Sequence, residues 1–267
     1  MRENIFRTFL RDRNSKTAII IVSVAAVVIA IGLVYRLFFY AKNNDTESTT
    51  DDNMTESLES INDITSINEI HVGEHYTFGT YEQDNNKSNG AEPIEWRVLA
   101  VEDGKALLIT EKLIDCKKYN DTLTAITWET STLRKWLNDD FFNKSFSIEE
   151  QAKIALVTNQ NPDNPSYGTK GGNDTQDKIF VLSIDEEKKY FSSGEDMIIY
   201  ATPYAKSQGS YADENDGGFY WWLRSPGHDC DNAAVVLLDS GLVDQGGVSV
   251  DLIYGSVRPA LWLELSF

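Results

Sequence analysis

Nineteen consecutive residues near the start of the chain, TAIIIVSVAAVVIAIGLVY from Thr17 to Tyr35, carry no charge, and only Thr17 and Ser23 break their apolar character. At about 1.5 Å of rise per residue, such a helix spans roughly 28 Å, the thickness of a bilayer's hydrocarbon core. This run constrains everything else, because whatever follows must fold as a separate body on one side of a membrane. Arg2, Arg7, Arg11, Arg13 and Lys16 precede it against only Glu3 and Asp12. Basic residues stay on the cytoplasmic side, so residues 1–16 read as a cytoplasmic tail and everything after Tyr40 as extracytoplasmic. Tyr35, Arg36, Phe38, Phe39 and Tyr40 supply an outer interfacial belt and no small-residue cleavage site. Residues 17–40 are therefore expected to be an uncleaved, single-pass anchor in the lipid bilayer of the cell membrane, not a signal peptide.

Residues 41–69 turn to Asn, Asp, Ser, Thr and Glu, with eight carboxylates against Lys42 and neither proline nor glycine. Self-repulsion should keep such a segment extended and disordered, an acidic linker. A weak amphipathic helix over Met54–Ile67 is the other reading, since Leu58, Ile61, Ile64 and Ile67 recur every three residues. The net charge of −18 over 267 residues argues against nucleic acid, whose binding needs clustered Lys and Arg. Cys116 and Cys230 and three scattered histidines have no zinc-ligand spacing, and the cysteines read as separate small hydrophobes or as one long-range disulfide.

Residues 70–267 make up the expected folded domain. Tyr76, Phe78 and Thr80 alternate as on a half-buried strand. Pro93–Asp115 reads as a hairpin turning at Asp103-Gly104, a pair suited to the positive φ of a two-residue turn, with Ile94, Trp96, Val98 and Ala100 on one face. A short helix is expected after Thr130 or Ser131, with Leu133, Trp136, Leu137, Asp140 and Phe141 on one face. Ser147 with Glu150 and Ser183 with Glu186 are capping-box pairs that should start two more helices. Asn159–Asp177 is a long polar loop. From Ala233 the sequence predicts a meander of short antiparallel strands, with a turn at Ser240-Gly241 and a break at Gly246-Gly247.

Two runs, GFYWWLRSPG (Gly218–Gly227) and GSVRPALWL (Gly255–Leu263), concentrate tryptophan, proline and arginine. With FGTYEQD, TWETSTLRKWLN and NPDNPSYGTKGGNDTQDKIFVLS they resemble an uncharacterised domain family of Gram-positive bacterial surface proteins. The order of a Trp-rich strand, a glycine-turned hairpin and a closing Val-Arg-Pro strand more distantly resembles the C-type lectin-like fold, including its formylglycine-generating-enzyme branch. That resemblance implies an α+β domain: a twisted antiparallel sheet, two or three short helices and a long ligand-bearing loop. The enzyme branch's catalytic cysteine pair has no counterpart, and NPD at Asn161–Asp163 matches only part of the lectin Ca²⁺ signature.

No nucleophile-elbow motif occurs, so no catalytic residue is assigned. Asp163, Asn173, Asp174 and Asp177 are hard oxygen donors among glycines and are the candidate ligand contacts, with Asp174 and Asp177 as candidate Ca²⁺ ligands. Asx turns alone are the alternative reading of the same loop. Tyr220, Trp221, Trp222 and Trp262 could stack on a sugar, and Trp221 is the candidate contact; core packing is the competing reading. Neighbours on a strand face opposite ways, so at most one of Trp221 and Trp222 is expected in the core, the other facing a second layer or solvent. Trp96, Trp136, Trp222, Arg224, Arg258 and Trp262 read as framework, the arginines paired with buried carboxylates or carbonyls. The expectation is an anchored extracytoplasmic binding module for a glycan or protein, the alternative a cell-surface hydrolase or modifying enzyme.

Overall fold

The computed structural model describes residues 70–211 and 220–265. The expected tail, anchor and linker lie outside these residues; within them no helix is long and apolar enough to cross a membrane. The described domain is mixed α+β, with mostly antiparallel sheets and a few short helices.

The strands in chain order are β1 (His75–Tyr81), β2 (Glu92–Glu102), β3 (Lys105–Thr110), β4 (Asp115–Cys116), β5 (Val157–Asn159), β6 (Thr175–Asp177), β7 (Ile179–Phe180), β8 (Tyr220–Pro226), β9 (Asn232–Leu237), β10 (Val243–Ser249), β11 (Ser256–Val257) and β12 (Ala260–Glu264). One sheet runs β1-β2-β3-β12-β7, a second β10-β9-β8-β11-β4, and β5 pairs with β6. The expected hairpin is present: Glu102 pairs with Lys105, and Asp103 and Gly104 have φ of 50° and 74°. Ile94, Trp96, Val98 and Ala100 are buried as expected. On β3, Leu107 and Ile109 are buried as well as Ala106 and Leu108, because this strand lies between β2 and β12 with core on both faces. The alternation expected on β1 fails at Gly79, where a register shift breaks the ladder and the backbone presses on Phe146.

The helical layer is short and well capped. Ser131 accepts from the Arg134 amide and starts α1 (Thr132–Trp136), which continues through a π turn, Leu137–Phe141, into α2 (Phe142–Ser145). Leu133, Leu137 and Phe141 are buried from this stretch, while Asp140 faces solvent. Asn138, in the π turn, docks the helix on β7 by donating to Ile179 O at 2.8 Å and accepting from Lys178 N at 2.9 Å. Both capping boxes form, opening α3 (Ile148–Lys153) and α4 (Ile184–Tyr190); α5 is Pro203–Ser207.

The C-terminal meander needs two corrections. β10 runs through Gly246 and Gly247 instead of breaking there, because Gly247 at φ 67° allows a register shift and Asp244 Oδ1 accepts both glycine amides. The run Gly255–Leu263 is not one strand but two. β11 lies parallel to β8 and antiparallel to β4, and after Arg258-Pro259 the chain crosses into the other sheet as β12, between β3 and β7. The expectation that at most one of Trp221 and Trp222 is core is corrected: β8 is buried along its whole length, and both are core because each of its faces is covered.

Gly255 lets the chain pass directly over Trp222: a Cβ there would overlap the fully buried indole. Gly255→Ala is therefore expected to destabilise the domain by at least about 1 to 3 kcal/mol through overpacking. Urea unfolding followed by tryptophan fluorescence checks this; an unchanged midpoint contradicts the packing.

Candidate functional site

The loop Asn159–Asp177 is organised by a buried carboxylate. Asp177 is fully buried; its Oδ1 accepts from Arg134 Nε at 2.6 Å, and its Oδ2 accepts from Trp128 Nε1 at 3.0 Å, Asn159 Nδ2 at 3.0 Å and Thr175 Oγ1 at 2.7 Å. A carboxylate has about four acceptor positions, and four protein donors already occupy this one. Asp174 is exposed and caps the Asn161 amide at 3.2 Å. The expected Asp174–Asp177 Ca²⁺ pair is thus corrected: one member is an internal anchor and the other a loop cap. Asp163 is held by Lys170 at 2.6 Å, which keeps its carboxyl below the usual range, with help from the Gly171 amide. Asn173 bridges to Glu129 at 3.0 Å and accepts from Asn161 through its carbonyl. The alternative reading of this loop, Asx turns and caps, describes what is present.

Trp221, the candidate sugar contact, has no exposed face. Its Nε1 donates to Met197 O at 3.4 Å and the Arg258 guanidinium lies 5.2 Å from its ring centre. It is a core residue, and the stacking role expected for it is withdrawn. Arg258 is fully buried, gives Nε to Thr110 O at 3.0 Å and also lies 5.4 Å from the Phe191 ring. Burial works against its charge, Glu111 supports it and Arg97 opposes it. Trp96 and Trp222 are buried with their N–H groups on Phe78 O and Lys117 O, while Trp136 is half-buried under Lys117. Cys116 and Cys230 are both free thiols; burial, then the nearby Asp115 charge, pushes Cys116 up to about 12.

Arg224 behaves as expected of a framework arginine. It forms a two-pronged pair with Glu186, Nη2 to Oε1 at 2.7 Å, and donates to Val181 O at 3.0 Å and Gln160 O at 3.3 Å. Glu186 is also the capping-box residue of α4, accepting from Ser183 N at 2.9 Å. This arrangement is the floor of a pocket of about 270 Å³ lined by Val157, Thr158, Asn159, Gln160, Pro162, Ser183, Asp185, Glu186, Arg224 and Trp262. Trp262 comes from β12, Arg224 from β8 and Thr158 and Asn159 from β5, so three sheets meet here.

The pocket's groups differ in whether they are already bonded. The Arg224 Nη atoms, Glu186 and the Asn159 amide are bonded within the protein, although Arg224 Nε is buried without a partner; among the described residues the Asp185 carboxylate and the Gln160 amide, both exposed, and the Trp262 indole N–H make no hydrogen bond. The four fully buried tryptophans, Trp96, Trp128, Trp221 and Trp222, each give their N–H to a protein acceptor. Sequence reasoning found Arg224 and Trp262 but assigned both to framework, and it missed Gln160 and Asp185. The Ser183–Glu186 capping box was the available signal, because it fixes Asp185 in the first turn of α4 beside the end of β5.

Two larger, adjoining clefts of about 580 Å³ and 300 Å³ share Lys112, Thr202 and Pro203. At the edge of the smaller one, the carboxylates of Glu82, Asp84 and Glu92 come within 4.8 Å of one another, the one such group with metal-ligand geometry among the described residues. All three accept local donors: Asn86 N for Glu82 and Asp84, and Gln83 N for Glu92.

These features define an α+β domain whose small aromatic and polar pocket is assembled from both signature runs. The chain belongs to a family described only as a domain of unknown function, DUF6273, which it matches over residues 103–265. That match begins inside the β2–β3 turn, so β1 and β2 precede it although they complete the first sheet. No curated protein and no solved structure matches the chain.

Replacing Asp177 by Asn removes a buried charge opposite Arg134 and is expected to cost about 3 to 5 kcal/mol. Asp174→Asn, on the surface, should change stability by less than about 0.5 kcal/mol. Chemical denaturation of the two variants checks the contrast, and equal midpoints would contradict the anchor role of Asp177.

Proposed function

We propose that this chain is a membrane-anchored binding module, single-pass with its N-terminus in the cytoplasm, and that residues 70–267 act outside the cell. The anchor rests on the uncharged run Thr17–Tyr35 and the basic residues before it. We read the fold as a variant of the C-type lectin-like arrangement, which the Trp-rich β8 and the closing Val257-Arg258-Pro259 segment support.

One observation carries the binding reading: the pocket at Trp262 brings three unbonded polar groups together over a floor whose own charges are matched. A charge-matched ion pair with unbonded donors and acceptors in the same pocket suits reversible recognition of a small polar group. The ligand class is a glycan or a protein; with a net charge of −18, nucleic acid is not a partner.

The test is binding of the full-length chain to arrayed glycans and peptides, with each bound probe recovered and analysed for turnover. Retention of at least one probe unchanged, lost in a Gln160→Ala, Asp185→Asn double variant, is the expected result. Chemical conversion of the retained probe, or no retention from any class, overturns the reading. For the topology, protease added to intact cells should remove the domain by cutting within 41–69; protection until lysis contradicts it.

A further inference from the structure

We propose that the Trp262 pocket takes one uncharged sugar ring, the terminal hexose or N-acetylhexosamine of a glycan chain. The assignment deepens the binding reading and rests on it. Size gives the first restriction. At about 270 Å³ the pocket falls just below the range of about 300–1,000 Å³ that holds drug-sized ligands, room for one ring but not for several consecutive ones.

Charge gives the second. Among the described residues the one cation lining the pocket is Arg224; its charge is paired with Glu186 and both its Nη atoms are taken, by Glu186, Val181 O and Gln160 O, while its Nε is buried without a partner. The carboxylate left over is Asp185, so the pocket has a net excess of one negative charge. A uronic acid, a sialic acid or a phosphate would bring a like charge beside Asp185, where the lining cation is already neutralised by Glu186, which is unfavourable at such range.

Chemistry gives the third. A sugar hydroxyl both donates and accepts, and the three unbonded groups match that dual character. Asp185 accepts, the Trp262 N–H donates and the Gln160 amide does both. Trp262 is half-buried in the wall and supplies an aromatic face for the C–H side of the ring. This is the aromatic contact sought in the sequence at Trp221, moved to the one signature tryptophan of β8 and β12 that is not sealed in the core.

The experiment uses the full-length chain in a detergent without a sugar headgroup, titrated calorimetrically. The probes are the methyl glycosides of glucose, galactose, mannose and N-acetylglucosamine, with methyl glucuronide, glucosamine, glycerol 3-phosphate and a neutral tripeptide as comparators. At least one neutral glycoside should bind, and its Kd should rise tenfold or more both in Trp262→Ala and in the Gln160→Ala, Asp185→Asn double variant. The second variant alters only surface side chains, so it keeps the test valid if Trp262→Ala fails to fold. Methyl glucuronide should bind at least tenfold more weakly than methyl glucoside, and Asp185→Asn alone should narrow that gap. Equal or tighter binding of the glucuronide or of glucosamine overturns the assignment to an uncharged ring. So does glycoside binding that is indifferent to the double variant. Binding of the tripeptide or glycerol 3-phosphate in place of any glycoside overturns the sugar assignment and leaves the binding module standing; silence from every probe overturns both.

Discussion

The crossing at Arg258-Pro259 is the constraint on which the rest of the domain depends. Ser256 and Val257 belong to one five-stranded sheet and Ala260–Glu264 to the other. The crossing holds the two together through Thr110 N to Pro259 O at 3.0 Å, Ile114 N to Val257 O at 3.1 Å and Arg258 Nε to Thr110 O at 3.0 Å. The planar guanidinium reaches a backbone carbonyl through Nε and lies over the Trp221 and Phe191 rings, while its two Nη atoms are buried without a partner. β12 then fills the gap between β3 and β7. Without that insertion the first sheet would be split between β3 and β7.

The pocket inherits this dependence. Trp262 is delivered by the strand after the crossing and Arg224 by β8, the parallel partner of the strand before it. Asn159 reaches the same place because Asp177 holds β5 against β6 and ties both to Trp128 and Arg134. Buried charges thus serve as geometric pins here: Asp177 fixes the loop, and Arg224 with Glu186 fixes the start of α4. A buried pair of this kind adds little net stability, but losing one partner leaves an uncompensated charge.

Local features were legible in the sequence and long-range ones were not. Asp103-Gly104, Ser147 with Glu150 and Ser183 with Glu186 each act within a few residues, through φ preference or capping, and each forms as expected. The two signature runs were recognisable as framework from their composition, but their pairing was not, since nothing within nine residues reveals that a strand will change sheets at its proline. Asp177 shows the same limit at the level of one side chain. Its surroundings in sequence are polar and glycine-rich, as for an exposed Ca²⁺ ligand, whereas its partners Trp128 and Arg134 come from more than forty residues away. Trp221 and Trp222 alternate faces as strand geometry demands, yet both are sealed because β8 is covered on both sides, a property of the layers and not of the strand. The pocket was missed for a related reason: Gln160, Asp185 and Trp262 are unremarkable alone and become a site only when three sheets converge.

Native-state hydrogen exchange tests most directly the claim that the crossing makes both sheets, and with them the pocket, one cooperative unit. The slowest amides of β3 in the first sheet and of β8 in the second are predicted to exchange with the same opening free energy and the same urea dependence, because neither sheet can open without releasing β11 and β12. A β8 set that opens at a distinctly lower free energy than the β3 set, with a smaller urea dependence, would contradict the account.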